Sequence, residues 1–293
     1  MRKILIILMT MGISLQIFAQ NADVSDKQMD SLKAEEFFTK ACNSFNNKNY
    51  EQAIEYYKQV ISLRPDYTNA YMGLGVAYGS KKDYKQAIML LKKVISLEPD
   101  SLDGYLLLGQ TYSKIENYEL AVETYKKIIS LDSSYIWVHF EIGNAYNNIG
   151  NACSSMENYE LAVEHYKKYT TLETTNANGF LNLGKTYRNM EKFDLAIASF
   201  KIATSLEPDY AEAYYNLGLA YANSNIKNYE QAITSFKILI SLEPDYAKAY
   251  TLLGLCYSLK DDYKQADIYM KKAAKLGDED ARQYLKISKK GCN

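Results

Sequence analysis

Three stretches of this chain are near copies of one another: ISLRPDYTNAYMGLGVAY from Ile61, TSLEPDYAEAYYNLGLAY from Thr204 and ISLEPDYAKAYTLLGLCY from Ile240. Pro65 and Pro99 differ by 34 positions, as do Tyr71 and Tyr105, so corresponding positions recur with a period of 34 residues. Self-similarity at a fixed spacing is typical of repeat architectures, in which one small structural unit is stacked many times. The period therefore predicts a repeat fold before any secondary structure is assigned.

Aligning the chain on this period divides it into seven units. They span residues 34–67, 68–101, 102–135, 136–176, 177–210, 211–246 and 247–280. Two columns of the alignment contain only small residues. The first holds Ala41, Gly75, Gly109, Gly143, Gly184, Gly218 and Gly254, and the second holds Ala53, Ala87, Ala121, Ala162, Ala196, Ala232 and Ala266. Because glycine in a helix costs about 1 kcal/mol against alanine, the glycine column indicates close packing of paired helices.

Aromatic residues and proline complete the pattern. Large aromatic side chains recur three, four and seven positions apart, which places them on one helical face, and all four prolines stand in one column between units. The pattern Tyr-x-x-Leu-Gly-x-x-Tyr, then Ala-x-x-x-Phe/Tyr, then Pro, resembles the tetratricopeptide repeat family over residues 34–280. The resemblance implies an all-α, right-handed superhelical solenoid of about seven helix-turn-helix repeats. Residues 281–293 are expected to form a capping helix and a tail.

The N-terminal residues have a different character. Arg2 and Lys3 precede an apolar run from Ile4 to Phe18, which predicts a secretory signal peptide over residues 1–19. An uncleaved anchor is the alternative. Residues 20–33 are expected to be a lead-in linker, which could extend the first helix, and the mature protein is expected to be exported, either periplasmic or secreted.

The fourth unit is seven residues longer than the period, because IGNAYNN from Ile142 is followed directly by IGNACSS from Ile149. Seven residues are nearly two helical turns, so a helix can lengthen without rotating its buried face. Either copy could occupy the packing site; the first is favoured because Tyr135 then falls in the tyrosine column that ends the repeats. The insertion could be neutral drift or a protrusion that contacts a partner.

Reactive groups are few. The chain has two histidines and a formal net charge of -1, and no metal-binding motif such as HExxH is present. His139 is expected to be a half-buried packing residue, and His165 lies on a second helix among lysines. We therefore expect no enzyme, no cofactor, no metal site and no nucleic-acid partner. The four cysteines do not predict a disulfide framework.

In the family that this chain resembles, the first helices of the repeats line a concave groove. The resemblance places the following residues in a hypothetical peptide-binding groove: Trp137, Phe140, Asn144, Leu181, Lys185, Arg188 and Tyr215. Aromatic residues would supply contact area, and the two cations would bind a carboxylate. The expected function is a non-catalytic scaffold that binds a protein or peptide in the cell envelope. The alternative is a structural component of an envelope or secretion complex that uses convex and edge surfaces.

Overall fold

The computed structural model describes residues 28–223 and 226–290, so the expected signal peptide lies outside the described residues. The described residues form fifteen helices and no strand, which confirms the all-α solenoid class. The helices are α1 (28–46), α2 (Tyr50–Leu63), α3 (Thr68–Ser80), α4 (Tyr84–Leu97), α5 (Leu102–Lys114), α6 (Tyr118–Leu131), α7 (Trp137–Cys153), α8 (Met156–Leu172), α9 (Ala177–Asn189), α10 (Phe193–Leu206), α11 (Ala211–Ala222), α12 (Tyr229–Leu242), α13 (Ala247–Leu259), α14 (Tyr263–Lys275) and α15 (Glu279–Lys290). The chain divides into two compact units, Met1–Ser133 and Ser134–Asn293.

The first unit contains three helical hairpins, α1 with α2, α3 with α4 and α5 with α6. Residues 28–33, expected in the lead-in linker, already belong to α1. The glycine column makes room for a large side chain on the second helix of the hairpin. A Cβ atom at Gly109 would lie 2.4 Å from the Tyr125 ring, and one at Gly75 would lie 3.2 Å from Leu91. The alanine column is completely buried throughout the chain.

The turn inside each hairpin has a repeated backbone conformation. A residue between the two helices takes a left-handed conformation although it is not glycine, as at Lys82 (φ 64°) and Glu116 (φ 61°), each the second residue after its first helix. In the second hairpin, the next residue caps the second helix, since Asp83 accepts a hydrogen bond from the backbone N–H of Gln86. The cap satisfies a backbone donor that would otherwise lack a partner at the helix start.

The second unit contains four hairpins, from α7 with α8 to α13 with α14, followed by α15. Here too, a Cβ atom at Gly184 would lie 2.5 Å from the Phe200 ring. The last helix covers the end of the array: Ala281 is completely buried, and Tyr284 and Leu285 pack against a cluster that includes Met270. Residues 279–290 therefore form the expected capping helix, which begins two residues before the predicted boundary.

The duplicated heptad lengthens both helices of the fourth hairpin. Helices α7 and α8 each have 17 residues, whereas α5 has 13 and α6 has 14. Ser154 (φ 50°) makes the left-handed turn, five residues before Tyr159. In the other hairpins, this turn comes two residues before the corresponding aromatic residue, as at Glu116 and Tyr118. The insertion has therefore moved the turn, and its residues are divided between the two helices.

Both copies of the heptad contribute a packing glycine. A Cβ atom at Gly143 would lie 2.8 Å from the Tyr166 ring, so the first copy occupies the usual packing site, as favoured from the sequence. Gly150 in the second copy has a similar approach to Tyr159, at 2.7 Å. Ile149, in the second copy, is buried as well, so it does not form an exposed protrusion.

Candidate functional site

Three of the expected groove residues line one open pocket of about 700 Å³ in the second unit. Lys185 and Arg188 come from α9 and Tyr215 comes from α11. These helices are the first helices of consecutive hairpins, so their facing side chains border the same space. The other lining residues are Ala211, Glu212, Asn216, Leu219, Leu239, Glu243 and Tyr246.

The two cations of the pocket differ in their partners. The Lys185 ammonium forms an ion pair with the Glu212 carboxylate, across from α9 to α11. The Arg188 guanidinium donates one hydrogen bond, from Nη1 to Asn216 Oδ1 at 2.5 Å. Within the described part of the chain, no carboxylate forms an ion pair with Arg188. Of the two cations expected to bind a carboxylate, Arg188 alone therefore forms no direct ion pair with a described residue.

Arg188 is partly shielded from water, and its hydrogen-bond acceptor is itself held by a hydrogen bond. Asn216 is 3% exposed, and its Nδ2 atom donates to the Glu212 backbone carbonyl at 2.8 Å, which fixes the amide oxygen that faces Arg188. Partial burial lowers the pKa of the Arg188 guanidinium, because burial disfavours its charged form. Arginine nevertheless remains charged at neutral pH, so the pocket holds a half-buried cation.

Two expected groove residues form a separate aromatic cluster. The Trp137 and Phe140 ring centroids lie 4.9 Å apart, and both rings contact Tyr169, at 5.7 and 5.2 Å. Trp137 is 41% exposed, whereas Phe140 is buried. Neither residue lines the pocket around Arg188. Trp137 is thus the member of this cluster that offers aromatic surface to a partner.

The remaining two expected residues have internal roles. The Asn144 side chain accepts a hydrogen bond from the buried Tyr166 hydroxyl, with 2.6 Å between the oxygens. Leu181 is 1% exposed and belongs to the core. The seven expected residues therefore do not form one site, because Asn144 and Leu181 stabilise the hairpins and the others fall into two groups.

Sequence reasoning missed the pocket residues that lie outside the columns assigned to the groove. Asn216 orients Arg188, and the Tyr246 ring lies 5.8 Å from the Tyr215 ring. Tyr246 belongs to the tyrosine column that ends the repeats, the column that also contains Tyr135. That column could have indicated the pocket, since it places a ring beside the first helix of its own repeat.

Family models match most of the repeat region. The model described as "Tetratricopeptide repeat" matches residues 143–176, 211–246 and 247–276, and the model described as "TPR repeat" matches residues 184–225. A third model, "Anaphase-promoting complex, cyclosome, subunit 3", matches residues 46–128. This chain is a tetratricopeptide repeat protein.

Solved structures of other tetratricopeptide repeat proteins are similar to this one. The crystal structure of MamA is 28% identical, with a TM-score of 0.53 over 60% of this chain and 97% of that chain. The C-terminal part of a repeat-containing protein from Cytophaga hutchinsonii has a TM-score of 0.69 at 22% identity, over 84% of this chain and 98% of that chain. The latter similarity shows the shared fold alone. No curated protein matches this tetratricopeptide repeat chain.

A third solved structure is YrrB, described as a tetratricopeptide repeat protein with an unusual peptide-binding site. It is 23% identical, with a TM-score of 0.56 over 67% of this chain and 97% of that chain, and it too shows the fold alone. Across the described residues of this tetratricopeptide repeat protein, no helix combines the length and apolar character needed to cross a membrane.

Proposed function

We propose that this chain is a non-catalytic scaffold of the cell envelope. Its pocket around Arg188 binds a carboxylate of a protein partner, either that of an acidic side chain or that of the C-terminus. Membership of the tetratricopeptide repeat family supports a protein–protein interaction scaffold. The signal-like segment over residues 1–19 supports the location. The observation that carries the site is a half-buried guanidinium that forms no direct ion pair with a described residue.

The chemistry of the pocket favours an anionic ligand. A guanidinium has five N–H donors in a planar fork, and such a fork matches the two oxygens of a carboxylate. Arg188 directs one of its donors to Asn216. Partial burial strengthens a charge-assisted hydrogen bond because less water competes for the donors. The Glu212 carboxylate is paired with Lys185, and neither Glu212 nor Glu243 forms a direct ion pair with Arg188.

Aromatic surface supplies the second part of the proposed interaction. The Tyr215 and Tyr246 rings line the pocket beside Arg188, and Trp137 is exposed at the start of the second unit. Tyrosine, tryptophan and arginine are the residues most enriched at the energetic centres of protein interfaces. We propose that the tyrosines contact the apolar part of the peptide next to the carboxylate.

The test uses peptides selected from a display library on the wild-type protein, with affinities measured by titration calorimetry. A hydrogen bond to a charged group contributes about 1.5–3 kcal/mol, so Arg188→Ala should weaken binding roughly 10- to 100-fold. Arg282→Ala is the matched control, because Arg282 is an exposed arginine of α15 that is paired with Glu279. Equal affinity of wild type and Arg188→Ala for every selected peptide would exclude this pocket.

A second candidate function is a structural part of an envelope assembly. Large apolar side chains are exposed on second helices of the hairpins, such as Met89 at 57%, Leu195 at 47% and Ile268 at 51%. Crosslinking in envelope fractions followed by mass spectrometry would separate the two functions. Crosslinks from Tyr215 favour the pocket, whereas crosslinks confined to positions near Leu195 and Ile268 favour the assembly.

A further inference from the structure

The two histidines of the chain contact each other in the fourth hairpin. The Nδ1 atoms of His139, on α7, and His165, on α8, lie 2.9 Å apart, and the ring centroids lie 5.1 Å apart. The residues are 26 positions apart in the sequence, so no local ligand spacing reveals the pair. The antiparallel pairing of α7 and α8 is what brings the two imidazoles together.

The separation of the two nitrogens is close to the one that a shared metal ion requires. Two imidazole nitrogens bound at ~2.0–2.1 Å to one tetrahedral zinc ion lie about 3.3 Å apart, with ring centres about 5.2 Å apart. The ring centres here already have that separation. A tilt of each ring would therefore direct both Nδ1 lone pairs at a common point while the helices stay in place.

We propose that His139 and His165 form a two-imidazole site for a divalent late transition metal ion, with Zn²⁺ as the reference ion. Imidazole nitrogen suits Zn²⁺, Ni²⁺ and Cu²⁺, whereas Mg²⁺ and Ca²⁺ prefer oxygen ligands. His165 is buried and His139 is half-buried, so an ion can reach the pair from the side of His139.

Both rings must present an unprotonated Nδ1 to the ion. In the metal-free pair, one Nδ1–H donates to the other Nδ1, and the donor becomes a ligand when its proton moves to Nε2. This tautomer change releases no net proton from two neutral rings.

The surrounding groups limit the affinity of the site. Glu164 lies beside His165 in the chain, but its carboxylate is 2.8 Å from the Lys168 ammonium. Among the described residues, no group of three or more His, Cys, Asp or Glu side chains could hold a metal ion together. Two coordination positions are therefore left for water or an external ligand, and binding is expected to be reversible and accessible to chelators.

The experiment is a calorimetric titration of the full chain with ZnCl₂ at pH 7.5, combined with thermal unfolding. Wild type should bind one Zn²⁺ per chain and melt at a higher temperature when the ion is present, because the ion binds only the folded hairpin. His139→Gln should lower the association constant at least tenfold and abolish the rise in melting temperature. His139 is the better position for substitution because it is less buried than His165.

Cys153→Ser is the matched control, because Cys153 is an exposed thiol in the same hairpin and thiols also bind zinc. This variant should bind Zn²⁺ like wild type. The ¹⁵N signals of the two imidazoles, the only ones in the chain, should both shift on titration. Unchanged binding by His139→Gln, loss of binding by Cys153→Ser, or imidazole signals that do not move would each overturn the proposal.

Discussion

One added methyl group should destabilise the chain at Gly109 and stabilise it at Gly79. Both glycines lie in first helices of the first unit, in α5 and α3. A Cβ atom at Gly109 would lie 2.4 Å from Tyr125 Cε1, far inside the ~3.5–4.0 Å of ordinary carbon contacts. The nearest atom to a Cβ at Gly79 is the Ala87 Cβ, at 4.0 Å. The pair separates the packing effect from the helix propensity.

The magnitudes follow from these contacts. Tyr125 is completely buried, so its ring has no space to move away, and such overpacking costs about 1–3 kcal/mol. Alanine recovers up to about 1 kcal/mol of helix propensity at either position. Gly109→Ala should therefore lose about 1–2 kcal/mol of unfolding free energy, whereas Gly79→Ala should gain about 0.5–1 kcal/mol.

Thermal unfolding followed by far-ultraviolet circular dichroism measures both variants. A change of 1 kcal/mol shifts the midpoint of a chain of this size by about 2–4 °C, so Gly109→Ala should melt about 2–8 °C below wild type. Because repeat arrays can unfold in parts, amide exchange of α5 and α6 should localise the loss. A Gly109→Ala protein that melts at or above the wild-type temperature would refute the packing argument.

Two further substitutions examine the repeat packing and the inserted heptad. Ala196 is completely buried in α10. Ala196→Leu should therefore lower the free energy of unfolding by at least about 1–3 kcal/mol and lower the midpoint of urea unfolding. An unchanged midpoint would contradict close packing of this alanine column. Asn151 Oδ1 accepts a hydrogen bond from the Tyr159 hydroxyl at 2.9 Å. Asn151→Ala should therefore lower the free energy of unfolding by about 0.5–1.5 kcal/mol and speed amide exchange at the end of α7. Unchanged amide exchange there would contradict this expectation.

Much of the fold could be predicted from the period alone. The columns of glycine, alanine and aromatic residues report which side of each helix is buried, because helical geometry converts spacing along the chain into position on a face. The hairpins, the capping helix and the packing role of Gly143 follow from that local relation. The division of the array after the third repeat did not follow from it, since the period continues across that point.

The candidate site depended on tertiary structure. Lys185 and Arg188 look equivalent in the sequence, but only the packing of α9 against α11 pairs Lys185 with Glu212 and leaves Arg188 to Asn216. His139 and His165 likewise meet only because two helices pack side by side. The sequence by itself determined the helices and their buried faces, since these depend on neighbours within a turn or two. Which side chains from different helices meet, and which charges are compensated, was decided by packing across the hairpins.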